Sequence, residues 1–153
     1  MELIRMESVD RYPLVDLEAL MAQNSVKLAG RSLRDYLGKI VTHGTLVALD
    51  DDGRIRGLVG FYANDIENRR AYGSCCVVDS ALRGQGWGTK LFKRMFDDSR
   101  AAGMTHLAGT VLKANAKALK LYHDFGNCRI VGDTPGDDSR YDIIFDLSNE
   151  YPA

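Results

Sequence analysis

The stretch Arg83 to Phe92, RGQGWGTKLF, sets three glycines within five residues and then turns at once into an amphipathic run. Glycine gives up more conformational freedom on folding than any other residue, so such a cluster needs a reason. The usual one is a phosphate that needs bare backbone N–H groups. On the N-terminal side lies Ala71–Val78, a β-rich run apolar enough to be buried on both faces. On the other side, Leu91, Phe92, Met95 and Phe96 form one apolar stripe at helical spacing over Thr89–Ala102. Gly103 is a natural residue to end that helix, and His106–Leu112 returns to strand. A strand–turn–helix–strand crossover of this length predicts a right-handed, parallel pair.

The remaining elements extend outward from this unit. Glu2–Glu7 alternates weakly and reads as a first strand. Leu14, Leu17, Ala19, Leu20 and Met21 suit a helix entered through Asp10 and Pro13. A second helix runs from Ser32, its N-cap, to near Gly44, with Leu33, Tyr36, Leu37 and Ile40 on one side. Two β-rich runs, Thr45–Leu49 and Ile55–Ala63, flank Asp50-Asp51-Asp52-Gly53, which reads as a hairpin turn. The polar segment Asn64–Arg70 then connects to Ala71–Val78, and three strands joined by short turns predict an antiparallel meander. After His106–Leu112, Asn115 caps a short helix carrying Ala118, Leu121, Tyr122 and Phe125, with Gly126 closing it. Cys128–Val131 and Tyr141–Leu147 read as a terminal strand pair joined by the acidic, turn-rich GDTPGDDSR. The expected fold is one mixed α/β (α+β) domain over residues 1–153. It has a central, mostly antiparallel sheet of about seven strands with one parallel central pair, flanked by about four helices.

Bulk properties exclude several classes. A chain 45% hydrophobic and 27% charged has the composition of an ordinary soluble globular protein. Twenty basic against 21 acidic residues leave a net charge of -1, which offers no general pull toward nucleic acid or an anionic membrane. The N-terminal MELIRMESVDRY lacks the apolar run of a secretion signal, and no apolar stretch approaches the length that crosses a bilayer. Cytoplasmic localisation is expected. The three cysteines form neither a disulfide framework nor a metal-ligand spacing. Cys75 and Cys76, adjacent on one strand, should point to opposite faces. His43, His106 and His123 also lack ligand spacing, so no metal is expected.

Glycine-rich phosphate loops differ in the residues that come after the glycines. The loop of nucleotide triphosphatases closes on Gly-Lys-Ser/Thr, whereas here the order is Gly88-Thr89-Lys90. The dinucleotide fingerprint requires Gly-x-Gly-x-x-Gly. Gly84 and Gly86 satisfy its first half, but Thr89 holds the third glycine position. An acidic ribose partner about 20 residues on is also expected, and Gly103-Met104-Thr105-His106 occupies that region. A tight turn that binds nothing stays open on the glycines alone. The pattern that fits is Arg83-x-x-Gly86-x-Gly88, preceded by Val78-Asp79-Ser80 and with Leu91 beyond it. This resembles the acyl-CoA loop of the GNAT superfamily of N-acetyltransferases, whose pattern is Arg/Gln-x-x-Gly-x-Gly/Ala. Asn115-x-x-Ala118-x-x-Leu121-Tyr122, then Gly126, looks like the family's region after the fifth strand. The order of elements matches too, so the resemblance spans nearly the whole chain. Ser80 stands where many members carry proline, and Asn127 comes after Gly126 where an aromatic residue is common.

Read from the residues, the N–H groups of Arg83 to Gly88 sit at a helix N-terminus, where the dipole and unsatisfied donors favour an anion. The missing Cβ atoms at Gly84, Gly86 and Gly88 permit close approach. The resemblance implies that the anion is the pyrophosphate of coenzyme A, with acetyl-CoA as the acyl donor. Gln85, Trp87 and Thr89 belong to the same cofactor loop. Arg83 adds a charge there or is simply an exposed arginine on a solvated turn. The resemblance further implies that the pantetheine arm enters beside the strand ending at Val78, and that the N–H of Val78 or Val77 faces the thioester oxygen. That oxygen gains charge as the amine attacks, and a fixed donor stabilises the transition state more than the substrate.

By the same resemblance Tyr122 occupies the position of the family's general acid, and a phenol with its ordinary pKa near 10 is protonated at neutral pH. Spacing alone leaves it open between an acid and a packing tyrosine. Asn115 is first an N-cap and second a coenzyme contact. No carboxylate lies in Ala71–Val78, which leaves Glu67, Asp79 or a water chain as the base. Asp79 also suits a turn-holding role, and the cysteines lack a neighbouring histidine by sequence. The implied reaction is direct acetyl transfer to a primary amine of a small molecule or peptide. A non-catalytic acyl-CoA-binding module on the same scaffold is the alternative. Segments Pro13–Gly44 and Asp133–Arg140, which shape the acceptor site in this family, carry no readable selection for one acceptor, and the donor's acyl length is equally open. Dimerisation is frequent in the family and leaves no mark in the sequence.

Overall fold

A computed structural model of the chain describes residues 1–24, 26, 28, 30–125 and 127–147. Two compact units make it up, Met1–Tyr62 with Ser74–Met95, and Ala63–Gly73 with Phe96–Ala153. The strands are β1 Glu2–Arg5, β2 Thr45–Asp51, β3 Arg54–Asp65, β4 Arg70–Val78, β5 His106–Leu112, β6 Cys128–Thr134 and β7 Asp137–Asp146. The helices are α1 Leu14–Ala22, α2 Leu33–His43, α3 Trp87–Ala101 and α4 Ala116–Phe125. The sheet order is β1-β2-β3-β4-β5-β7-β6. β4 and β5 run parallel, with Arg70 opposite His106 and Tyr72 opposite Ala108. The expected mixed α/β fold with one parallel pair is therefore present.

In the first unit, α1 and α2 cover one face of the strands. Leu17, Leu20, Met21, Tyr36, Leu37 and Ile40 pack with Leu46, Ala48, Leu58, Cys75 and Val77 in one buried cluster. The opposite face receives α3, whose Leu91 Cδ1 lies 3.1 Å from the position of a Cβ on Gly57. Ser32 caps α2 as expected, accepting the N–H of Asp35 at 3.1 Å. Asp10 enters no helix of its own beyond a 3-10 turn, Val9–Arg11, and α1 starts directly after Pro13.

The β2–β3 turn is shorter than the four residues expected. Asp52 and Gly53 alone form it, at φ 51 and 88, the two positive angles that a two-residue hairpin loop demands. Asp50 and Asp51 join β2 instead. Asp50 is buried, and its carboxylate accepts the N–H of Gly53 at 2.9 Å and the hydroxyl of Tyr12 at 2.6 Å. These bonds hold its pKa below the usual carboxylate value, the Tyr12 hydroxyl contributing most. β4 also differs from expectation. Ala71, Cys75 and Val77 are buried but Tyr72 is 45% exposed, so one side of the strand is covered far less at its start.

In the second unit, α3 ends as its glycine predicts. Gly103, at φ 88, donates to Arg100 O and Met104 donates to Ser99 O, the two bonds of a Schellman cap. Phe96 sits between two rings, 4.7 Å from Phe125 and 5.0 Å from Phe145, both edge-on. GDTPGDDSR is mostly strand rather than loop, because β6 runs on to Thr134 and β7 begins at Asp137. Its side chains are held locally: Lys113 reaches Asp133 at 2.8 Å, Arg140 lies 3.5 Å from Asp137, and Thr134 donates at 2.7 Å to Asp142 beyond the segment. Gly126, the expected stop of α4, lies outside the described residues.

Removing the Tyr12 hydroxyl leaves the buried Asp50 carboxylate one donor short, and a lost bond to a buried charged group costs about 1.5–3 kcal/mol. Tyr12→Phe should therefore lower the unfolding free energy by that order in urea titration at pH 7. Because the folded pKa of Asp50 is depressed, the lost stability is present above its unfolded pKa near 4 and vanishes as pH falls through the lower folded value. The gap between the two chains should accordingly close in acid.

Candidate functional site

The end of β4 fixes which backbone groups are presented. Asp79 N–H donates to Arg56 O of β3 at 2.8 Å. Successive strand residues turn their N–H groups to opposite edges, so Val77 faces β3 as well. Its carbonyl oxygen lies 3.1 Å from the position of a Gly57 Cβ, in accord with that orientation. Val78 therefore presents its N–H at the edge of β4 away from β3. Of the two donors left open by the sequence, Val78 is the one directed outward from the β2–β3–β4 pairing.

After Val78 the chain makes a 3-10 turn, Ser80–Leu82, capped by Asp79, whose Oδ1 accepts the N–H of Ala81 at 3.0 Å. Asp79 Oδ2 accepts from Arg56 Nε at 3.1 Å. The Ala81 N–H first, and Arg56 after it, hold the Asp79 carboxyl below the usual range. A carboxylate so stabilised is a poor proton acceptor, and its two oxygens hold the turn. Arg56, which also reaches Asp51 at 3.2 Å, was not singled out from the sequence. Its position on an ordinary β run carries no signal of that role.

The glycine cluster then delivers a set of unpaired donors. Gly84 and Gly86 have φ 82 and 84, and a Cβ on either would meet nothing within 4 Å. Their requirement is conformational, since side chains avoid that region. α3 begins at Trp87, two residues earlier than expected, with Lys90 N donating to Gly86 O at 3.1 Å. Arg83 N is taken by Ser80 O and Gln85 N by Leu82 O. The N–H groups of Gly84, Gly86, Trp87, Gly88 and Thr89 find no protein acceptor among the described residues. They cluster at the positive end of a 15-residue helix. Lys90 adds a cation there, its Nζ 4.3 Å from the centre of the Trp87 ring.

Arg83 does not extend over this donor set. Its Nη2 donates to Gln23 O at 3.1 Å and to Asn24 Oδ1 at 3.4 Å, just past the end of α1. Gln23 Oε1 in turn accepts the N–H of Ser80 at 2.7 Å. No periodicity or motif marks Gln23 or Asn24, which lie about 60 residues from their partners.

Asn115 and Tyr122 belong to the second unit. Asn115 Oδ1 accepts the N–H of Ala118 at 3.1 Å, the cap expected for α4. The stripe of α4 is only half-buried rather than buried, Tyr122 included. The Tyr122 ring stands edge-on to Phe145 at 5.5 Å, which fixes its plane. Glu67 is exposed in the turn 66–69 between β3 and β4, shorter than the expected Asn64–Arg70 connection because both strands run into it.

Burial pushes the Cys75 thiol up to about 11 and the Cys76 thiol up to about 12. Cys75 packs with α2, whereas Cys76 Sγ lies 4.0 Å from Gly88 O of α3, so the pair does face opposite ways. Neither is a thiolate at neutral pH, which removes them as nucleophiles. Among the described residues, no three His, Cys, Asp or Glu side chains are grouped to hold a metal ion. No described helix is long and apolar enough to cross a membrane.

The model of the acetyltransferase (GNAT) family matches residues 14–126, well over half of the chain. The chain belongs to the GNAT acetyltransferase family. Solved structures share its fold at low identity. IAA acetyltransferase from Bacillus cereus aligns with TM-score 0.70 and 17% identity over 95% of this chain and 98% of its own. YncA from Salmonella typhimurium, solved with its cofactor acetyl-CoA, gives 0.70 and 15% over 100% and 98%. N-acetylglutamate synthase from Neisseria gonorrhoeae, solved with coenzyme A and N-acetyl-glutamate, gives 0.71 and 15% over 97% and 36%. No curated protein matches the sequence closely enough to count as a relative.

The thiol pKa values make a direct expectation. At pH 7.5 a disulfide reagent should modify Cys75 and Cys76 only after unfolding, and Cys76→Ala should retain turnover within about threefold. Rapid labelling of the native chain, located at these positions by mass spectrometry, contradicts it.

Proposed function

We propose that this chain, acting as one domain over residues 1–153, transfers an acetyl group from acetyl-CoA to a primary amine by direct attack in a ternary complex. The observation that carries the reading is the row of unpaired N–H groups at Gly84, Gly86, Trp87, Gly88 and Thr89. A pyrophosphate supplies acceptors for several of them at once and a double negative charge for the helix end. The donor loop is made of backbone, so its selectivity is for the shape of the diphosphate rather than for any base.

The acyl end of the coenzyme then lies along the edge of β4 that faces away from β3, past the pairing that ends at Tyr72. The Val78 N–H, directed away from β3, is the donor to the thioester oxygen. As the amine nitrogen bonds the acyl carbon, that oxygen takes up charge and the bond to Val78 strengthens. When the carbon–sulfur bond breaks, the electron pair leaves on sulfur, and Tyr122 gives its phenolic proton to the departing thiolate. The attacking nitrogen loses its own proton to water, because Asp79 is committed to Ala81 and Arg56 and stays ionised without affinity to spare. Gly84 to Thr89, with Asn115, form the coenzyme contacts. The amine belongs to a small molecule or a peptide, and reduced thiols suit a cytoplasmic setting.

Two variants test the donor and the acid separately. Gly86→Ala forces an L residue to φ near 84, at about 1–2 kcal/mol of backbone strain, in a loop whose shape is the binding site. It should weaken coenzyme A in titration calorimetry by about tenfold with little loss of melting temperature. Tyr122→Phe should keep coenzyme affinity and lower kcat by about 10²- to 10⁴-fold in a thiol-release assay. A fully active Tyr122→Phe chain removes the acid role, and an unaffected Gly86→Ala chain removes the loop from coenzyme binding.

A further inference from the structure

The two bonds between the end of α1 and the β4–α3 connection account for groups that no other described residue satisfies. The 3-10 turn Ser80–Leu82 begins with two N–H groups that lack partners inside it. Asp79 takes that of Ala81 with one oxygen and spends the other on Arg56. The N–H of Ser80 is left for a residue 57 positions away, Gln23, whose Oε1 accepts it at 2.7 Å. At the same place the last carbonyls of α1 lack helical donors. Leu20 O accepts the Gln23 N–H at 3.3 Å and Asn24 Nδ2 at 3.0 Å, and Arg83 Nη2 covers Gln23 O at 3.1 Å. Arg83 thus sits as a cation at the negative end of α1, a favourable place for it. One bond runs from α1 to the start of the turn and the other returns from its end. Between them the path of the main chain is set for Gly84, whose φ of 82 opens the donor loop.

We infer that Gln23 and Arg83 are positioning residues for the donor loop, and that the Arg83 guanidinium acts through α1 rather than by contact with the coenzyme phosphates. The inference rests on the reading of that loop as the acetyl-CoA site. The first residue of the Arg-x-x-Gly-x-Gly pattern then serves the geometry of the loop, while the phosphate is left to backbone N–H groups and the helix end. Binding of an anion by fixed amides depends on their spacing, so a shift of the loop's entry is felt as lost coenzyme affinity rather than as a slower chemical step.

The test compares variants of similar shape. Gln23→Met keeps the length of the side chain and removes the acceptor, whereas Gln23→Glu keeps an oxygen that accepts from Ser80. Gln23→Met should raise the Kd for coenzyme A and the KM for acetyl-CoA by about fivefold to tenfold, with kcat within about twofold. Gln23→Glu should restore the Kd to within about threefold of the parent. Arg83→Ala should behave like Gln23→Met, and the double variant should cost no more than about twofold beyond either single one, since both bonds tie the same two segments. An unchanged Kd in Gln23→Met overturns the role of Gln23. Full multiplication of the two losses, with a salt dependence of binding that flattens in Arg83→Ala, overturns the role of Arg83 and makes it a phosphate ligand. If Gln23→Met does not fold, Arg83→Lys decides: retained affinity with a lysine donor to Gln23 O supports the clamp, and the loss seen in Arg83→Ala overturns it. Absence of coenzyme binding in the parent chain instead defeats the reading of the site on which the inference rests.

Discussion

The constraint on which the donor site depends is the unmet hydrogen-bonding capacity at the start of α3. A helix leaves its first N–H groups without partners, and most proteins cover them with a serine, threonine or aspartate side chain. Here Gly86 precedes the helix and Gly88 lies in its first turn, so no side chain of those residues reaches back to do so. Gly84 and Gly86, both at positive φ, add two more open amides before the helix begins. Among the described residues these amides have no local cap, and the proposed function rests on that. Much of the surrounding structure serves to keep that arrangement in place.

That support comes from both ends of the loop. β3 holds the end of β4 through the Arg56 carbonyl and guanidinium, with Asp79 bonded to each. α1 holds the turn through Gln23 and receives Arg83 in return. The buried cluster of α1 and α2 against β2, β3 and β4 supplies the apolar area that makes these segments rigid. Charged groups therefore act here as fixed hydrogen-bonding parts of a scaffold. The same residues, taken without their partners, suggest catalysis: an aspartate next to the cofactor strand and an arginine heading a phosphate motif. Their partners give them a different task.

Legibility in the sequence tracked the range of the forces involved. α2, α3 and β5 were readable because their determinants are local: the serine cap, the apolar stripe ending at Gly103, and the short β-rich run. The failures occurred where partners outweighed composition. GDTPGDDSR has the residues of a loop, yet Lys113 and Arg140 pair with its Asp133 and Asp137, Thr134 donates to Asp142, and both strands run on into it. Trp87 and Gly88 look like loop residues but form the first turn of α3. The Asp79 carboxylate stays an open candidate for the base until Ala81 and Arg56 are seen to occupy it.

The chain by itself marked the glycine-rich turn, since Gly84 and Gly86 ahead of an amphipathic helix, with Gly88 in its first turn, leave backbone amides exposed through local conformation. It also determined the class of fold, the α4 cap at Asn115, and the split of the cysteine pair across two faces of one strand. Tertiary structure alone decided that Val78, not Val77, points its N–H away from β3, because that choice depends on the register of β4 against Arg56. It likewise decided the partners of Arg83. The geometry of a hydrogen bond between residues 57 or 60 positions apart is set by how helices pack on a sheet, and no local pattern encodes it.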